Sequence, residues 1–176
     1  MVSLAFFAYI TAIPFVYLTV FNVSEFEFSL LFAINILALM TAHLINTRLV
    51  SRKGSKRMLA YGLMVALCFS SLLVVVNFLQ FSLIYTALAV LPLMGSLSMI
   101  AVNADALIMQ EFTREAGTAT AVIGTLRFGI GALAGPILAY FYDSTAVPFA
   151  LLMWCSIVVV LLCQLPNMTQ RKIIKD

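Results

Sequence analysis

Two ionisable residues lie inside long apolar stretches of this chain, where a charge is costly and therefore points to a role. Arg127 falls about ten residues into the stretch 118–141, where a charged side chain costs at least ~2.5 kcal/mol, so it must face protein or water rather than lipid. Asp105 is the one acid within any apolar stretch and lies near the end of 83–108. These charges suit two kinds of chemistry: binding of a charged substrate group, or an ion pair that opens during a conformational change.

The partner of Asp105 has to be chosen among Arg52, Arg57 and Arg127. We expect Arg52 or Arg57, because Arg127 begins more than about 10 Å deeper by the helical rise of about 1.5 Å per residue. In the alternative, Arg127 extends toward the aqueous boundary and meets a carbonyl or carboxylate at a helix end. No acid lies near the middle of any apolar stretch, so we expect any proton-coupling acid to come from another part of the assembly.

A basic segment, residues 48–57, joins two apolar stretches through a predicted tight turn, in which Gly54 can take a positive φ. One interpretation is an anchor that contacts lipid phosphates. The other is a cytoplasmic gate, whose arginines pair with carboxylates at neighbouring helix ends and release them when the protein changes state. The candidates for this gate are Arg52, Gly54, Arg57 and Asp105.

Two helix faces combine aromatic, methionine and small polar side chains. Such a mixture suits a cavity for amphiphilic molecules, because methionine adapts its shape and aromatic rings bind rings and cations. Ordinary helix packing is the alternative for each residue. The cavity candidates are Tyr9, Thr11, Pro14 and Phe15 in the first stretch, and Ser96, Met99 and Asn103 in the fourth.

The fifth stretch has small residues along one side and bulky apolar residues along the other. A small-residue face lets another helix approach closely in a membrane, so this helix is expected to have a partner along its length. A bend is also expected at Gly135-Pro136, because proline removes a backbone hydrogen bond. The packing candidates are Gly117, Gly124, Gly131, Gly135 and Pro136.

Six apolar stretches must position all these residues. The chain is 64% apolar and 10% charged, whereas soluble proteins average about 25% charged residues, and a bilayer core of about 30 Å is crossed by roughly 20 helical residues. The sequence therefore predicts an all-α membrane protein, a single six-helix domain over residues 1–176 with no soluble domain. The predicted spans are residues 2–21, 30–49, 58–77, 83–108, 118–141 and 146–165.

The basic residues outside the spans predict the orientation. They lie in the segment 48–57, at Arg114, and after the sixth span at Arg171, Lys172 and Lys175, and Lys and Arg collect on the cytoplasmic side of membranes. Both termini are therefore expected in the cytoplasm. This placement explains the net charge of +3 without a nucleic-acid partner, and the expected surroundings are the lipid bilayer.

The sequence contains no motif typical of an enzyme active site. His43 is a lone histidine in the second span, more typical of a packed residue than of a proton relay or metal ligand. No phosphate-binding glycine motif, nucleophile elbow or catalytic carboxylate pair is present. We expect neither an enzyme nor a bound metal or cofactor.

The chain resembles the second half of a major facilitator superfamily transporter, of the Bcr/CflA drug efflux type. The matching segments cover most of the chain, and the last of them is the most specific. They are residues 9–16 (YITAIPFV), 32–35 (FAIN), 48–54 (RLVSRKG), and 103–136 with its submotifs NA, AGTATA, GTLRF and GALAGP. Ser51 stands where the better-kept copy of the loop motif has an acid, and Arg127 stands where glutamine is common in relatives.

The resemblance implies a transporter of twelve helices in two bundles, of which this chain would supply helices seven to twelve. Spans one and four would then line the substrate cavity, spans two and five would contact an N-terminal six-helix half, and spans three and six would lie outside. Arg127 would be a charge near the interface between the halves. The implied function is exchange of protons for drugs or small amphiphilic metabolites across the bacterial inner membrane. The alternatives are a homodimeric half-transporter, and a six-helix protein that transports nothing, either an assembly factor or a truncated remnant.

Overall fold

The computed structural model describes residues 1–173, with side chains for residues 1–112 and 114–164. Six helices are long and apolar enough to cross a membrane, which confirms the all-α membrane fold. The basic residue Lys175, used above for orientation, lies outside the described residues. The spans are α1 (Val2–Phe15, continued by a wider turn at Val16–Val20), α2 (Glu25–Lys53), α3 (Ser55–Phe78), α4 (Leu83–Glu111), α5 with α6 (Ala116–Ala132 and Ala134–Tyr140) and α7 (Val147–Ile173).

The helices extend beyond the apolar stretches that predicted them, most of all at the turn between α2 and α3. Ser24 and Glu27 form a reciprocal capping box that begins α2 at Glu25. Arginine and lysine are good helix formers and are favoured near a helix C-terminus, so α2 continues to Lys53. Gly54 alone separates α2 from α3, with φ 78° and ψ 152°, a backbone conformation that almost only glycine adopts.

The first span carries a proline and ends in a widened turn. Pro14 lies inside α1, and the amide of Phe21 donates to the carbonyl of Val16 at 3.1 Å, a hydrogen bond five residues back. Such widened turns and prolines are common causes of bending in helices. The end of this span therefore departs from a straight helix.

α1 and α4 lie at the centre of the bundle. α4 packs against α2 and α3, α1 packs against α5, α6 and α7, and α3 contacts α7. The core between them is filled by large apolar side chains such as Ile13, Leu93, Phe149 and Met153. This arrangement places α2 and α5 on opposite flanks of the central helices.

α2 and α5 are the least covered spans. The buried residues of α2 are Asn35 and Asn46, and the one buried residue of α5 is Gly131. Large apolar side chains of α2 remain open, including Leu37 and Leu44, which are 61% and 65% exposed. These two helices therefore present faces that nothing in the described part of the chain covers.

The fifth span is interrupted close to its proline. α5 ends at Ala132 and α6 begins at Ala134, so the break falls at Leu133, just before Pro136. Proline is tolerated in the first turn of a helix, where its missing N–H has no intrahelical partner. The helix is thus interrupted near the predicted bend, with Pro136 in the first turn of the second segment.

Candidate functional site

The most prominent charged feature of the bundle is an ion pair between α4 and α5. Arg127 Nη2 donates to Asp105 Oδ1 at 2.6 Å, and the two side chains are 37% and 38% exposed. The expectation that Asp105 pairs with Arg52 or Arg57 is therefore wrong. Arg127 instead extends to a carboxylate on the neighbouring helix, as the alternative interpretation proposed.

The reason is the opposite direction of the two helices. We call the end of the bundle with the α2–α3 and α4–α5 connections the basic end. Counting about 1.5 Å per residue, Arg127 lies about 16 Å from the start of α5 and Asp105 about 9 Å from the end of α4. Side chains lean toward the N-terminus of their helix, so Arg127 leans toward the basic end and Asp105 away from it. The long arginine side chain spans the remaining gap of about 7 Å.

A second polar contact joins α4 to the opposite flank. Ser98 Oγ and His43 Nε2 are joined by a hydrogen bond of 2.6 Å between α4 and α2. Ser98 and Asp105 are two helical turns apart and share one face of α4. His43, Ser98, Asp105 and Arg127 together form what we call the polar strip, which crosses α2, α4 and α5.

The ionic members of the polar strip are accessible to a ligand. Their side chains are 37% and 38% exposed, so each charge is neutralised in part by the other and remains within reach of a charged group. A cationic substrate group could replace Arg127 at Asp105, and an anionic group could replace Asp105 at Arg127. A partly exposed ion pair that bridges two helices is a suitable element for a conformational switch.

A buried amide pair holds α2 against α4, closer to the basic end than the His43–Ser98 contact. Asn103 Nδ2 donates to Asn46 Oδ1 at 2.7 Å and to the carbonyl of Met99 at 2.8 Å. Both asparagines are buried, with 1% and 4% of their surfaces exposed. Asn103, predicted to line a substrate cavity, is thus a packing residue in this bundle.

The remaining residues predicted to line a cavity are divided among separate places. Ser96 and Met99 border a groove of about 370 Å³ between α2, α3 and α4. Thr11 and Phe15 border another groove, of about 280 Å³, between α1, α6 and α7. Tyr9 is buried in the core and Pro14 is half-buried. The described bundle therefore does not bring these residues into one cavity.

The predicted gate arginines lie at the basic end, and no described side chain forms an ion pair with them. Arg52 and Arg57 are exposed, and Arg52 borders an open cleft of about 450 Å³ with neighbouring residues of α2. Gly54 forms the turn between α2 and α3. Asp105 belongs to the polar strip rather than to this group, so a gate built from loop arginines would need its carboxylates from elsewhere.

The small-residue face of the fifth span is only partly used inside the chain. A Cβ atom on Gly131 would lie 2.5 Å from a ring carbon of Phe7, so this glycine permits close packing of α5 on α1. Gly117, Gly124 and Gly135 have no neighbouring atom within 4 Å of such a Cβ. Most of the face is therefore free of contacts from the described residues.

Sequence reasoning missed the histidine contact and the asparagine pair. His43 and Asn46 are three residues apart and so lie on one face of α2, which was a signal that both face a common partner helix. The opposite lean of side chains on antiparallel helices was the signal for the Asp105–Arg127 pair.

Six membrane-crossing helices with ionisable groups turned toward one another define a multi-pass membrane protein. The chain belongs to the Major Facilitator Superfamily, whose sequence profile matches residues 1–136. It is 30% identical over 153 residues to a bicyclomycin resistance protein homolog of Haemophilus influenzae, and 28% identical over 153 residues to the uncharacterized MFS-type transporter YdgK of Bacillus subtilis. These matches cover 87% of the chain but 38% of either relative. No solved structure gives a significant match.

Proposed function

We propose that this chain is the C-terminal six-helix half of a proton-coupled exporter of small amphiphilic molecules in the bacterial inner membrane. The observation that carries the proposal is the polar strip, which lies across α4 between the two least covered helices, α2 and α5. Membership of the superfamily and the similarity to a protein named for bicyclomycin resistance support the direction and type of transport.

The uncovered faces of α2 and α5 support a partner half. Leu37 and Leu44 of α2 are mostly exposed, and no described atom lies within 4 Å of a Cβ built on the open glycines of α5. Small-residue faces favour close helix association in membranes. Transporters of this kind place substrate near mid-membrane between two repeats that rock against each other. An N-terminal six-helix half on these faces would close a cavity with the polar strip in its wall.

The polar strip would couple substrate binding to the conformation of the bundle through the Asp105–Arg127 pair, which joins α4 to α5. A substrate cation in place of Arg127 would release this contact and favour the other conformation. The acid that carries the coupled proton is expected in another part of the assembly. In this proposal, both chain ends and the basic end face the cytoplasm, because Arg52, Arg57 and Arg114 lie at the basic end and such residues collect on the cytoplasmic side.

Rescue of drug resistance tests the proposal. The chain is expressed in an efflux-deficient bacterium, alone and together with the first six helices of the Haemophilus influenzae relative, and growth is measured with bicyclomycin and ethidium. The positive control is that relative, with its two halves produced in the same cell as two separate polypeptides. We expect resistance only when both halves are present, and resistance conferred by the chain alone would favour a homodimer.

A matched pair of α5 variants tests the predicted interface. Gly124→Leu places a bulky side chain on the open small-residue face, whereas Val122→Leu changes the opposite, exposed side of α5. We expect Gly124→Leu to abolish rescue and Val122→Leu to preserve it at equal expression. Equal rescue by both variants would contradict docking of the partner on this face.

A further inference from the structure

The groove between α2, α3 and α4 is almost entirely apolar and opens at the side of the bundle. Its volume is about 370 Å³, within the usual range of ligand pockets of about 300–1,000 Å³. Its walls are lined by Ala38, Thr41, Ala42 and Ile45 of α2, Tyr61, Gly62 and Val65 of α3, and Leu91, Pro92, Gly95, Ser96 and Met99 of α4.

One residue connects this groove to the basic end. Tyr61 lines the groove, and Lys53 Nζ lies 4.9 Å from the centre of the Tyr61 ring. A lysine over an aromatic ring is held by the quadrupole of the ring. One wall residue of the apolar groove therefore lies against a positive charge.

The basic residues at the end of α2 and the start of α3 have no acidic partners among the described residues. Arg52, Lys53 and Arg57 are exposed, and the one ion pair of the described side chains is Asp105–Arg127. Positive charge at this place is therefore available for an anionic ligand.

With Lys53 at the level of the head groups, the groove lies within one leaflet of a membrane. By the helical rise, Ile45 lies about 12 Å and Ala38 about 22 Å along α2 from Lys53. A leaflet is about 20–22 Å thick with its head groups, and about 15 Å of this is hydrocarbon. The α2 wall of the groove therefore follows the deeper half of the leaflet, where the end of an acyl chain lies.

We propose that this groove is a specific site for an anionic glycerophospholipid. The lipid phosphate binds Lys53 and Arg57, and one acyl chain lies in the groove along α2 past Tyr61 to Pro92. Basic pockets between membrane helices recognise anionic head groups in this way. The site depends on insertion of the chain in a membrane and not on its transport activity.

Lipid retention by the purified chain tests the site. The full chain is exchanged into micelles with phosphatidylglycerol or phosphatidylcholine, and bound lipid is counted by native mass spectrometry. Lys53→Gln should weaken phosphatidylglycerol binding about five-fold, the value of one basic residue near an anionic head group, and should leave phosphatidylcholine binding unchanged. Arg114→Gln, at the same end but in the α4–α5 connection, should change neither.

A second pair of variants tests the groove itself. Ala38→Phe fills the groove and should lower retention of both lipids, whereas Ala33→Phe, on the same helix but outside the groove, should not. Undiminished phosphatidylglycerol binding in Ala38→Phe, or equal binding of the two lipids by the unchanged chain, would overturn the proposal.

A photoreactive lipid gives a readout that needs no variant. Phosphatidylglycerol with a photoreactive group in its acyl chain should label residues 38–45 and 61–65 of the unchanged chain. Labelling spread evenly over the exposed faces of all helices would show a general lipid annulus and would also overturn the proposal.

Discussion

Removing one member of the Asp105–Arg127 pair should destabilise the bundle, and removing both should restore much of the loss. Fully exposed ion pairs contribute about 0.2–1 kcal/mol, whereas breaking a buried pair costs about 3–5 kcal/mol because a charge is left uncompensated. The two side chains here are 37% and 38% exposed, and their atoms are 2.6 Å apart. Asp105→Asn should therefore lower the free energy of unfolding by about 2 kcal/mol, between these two limits.

A double-mutant cycle measures this coupling. Asp105→Asn, Arg127→Gln and the double variant are unfolded in mixed micelles, and Trp154 fluorescence reports the transition, because its indole N–H donates to Ser71 Oγ at 3.0 Å between α7 and α3. The double variant should be more stable than the sum of the single losses predicts, by at least about 1 kcal/mol. If the loss of stability in the double variant equals the sum of the two single losses to within about 0.5 kcal/mol, the ion pair is not a stabilising contact.

Four further substitutions, of which Gly124→Ala is a control, test the packing by thermal or denaturant unfolding. Gly54→Ala should cost about 1–2 kcal/mol, because φ 78° strains a residue with a Cβ while no neighbour lies within 4 Å. Gly131→Ala should cost about 1–3 kcal/mol, because its Cβ would lie 2.5 Å from a ring carbon of α1; Gly124→Ala, with open space, should be neutral or slightly stabilising. Asn103→Ala should cost about 1–3 kcal/mol, because it leaves the buried Asn46 amide without its partner.

Each of these expectations has a result that contradicts it. An unchanged unfolding midpoint for Gly54→Ala would mean that the α2–α3 turn takes another backbone conformation. Equal effects at Gly131 and Gly124 would contradict the close approach of α5 to α1. If Asn103→Ala is no less stable than the original chain, the asparagine pair does not join α2 to α4.

The six spans could be predicted because each apolar stretch is long enough to cross a bilayer as a helix. Helix ends were less accurate, since hydropathy detects the apolar run and not the helix that continues through it. Arg52 and Lys53 are polar and yet complete the last turn of α2, while the capping box of Ser24 and Glu27 begins the same helix before its apolar stretch.

The side-chain contacts could be predicted only in part. The rise along each helix gave the depths of Asp105 and Arg127 but omitted the lean of their side chains, and this omission favoured the wrong arginines. Cavity residues such as Ser96 and Thr11 were grouped by their position on single helices. Their separation follows from how α1 and α4 rotate against their neighbours, which periodicity within one helix does not determine.

Proton-driven uptake into proteoliposomes tests the central claim, that this chain is half of a proton-coupled exporter, most directly. Vesicles containing the chain together with the first six helices of the Haemophilus influenzae relative receive an acidic lumen, and uptake of ethidium is followed by fluorescence. We expect uptake that requires both halves and stops when the proton gradient is collapsed. Equal uptake by the chain alone, or uptake that is unchanged after collapse of the gradient, would contradict the account.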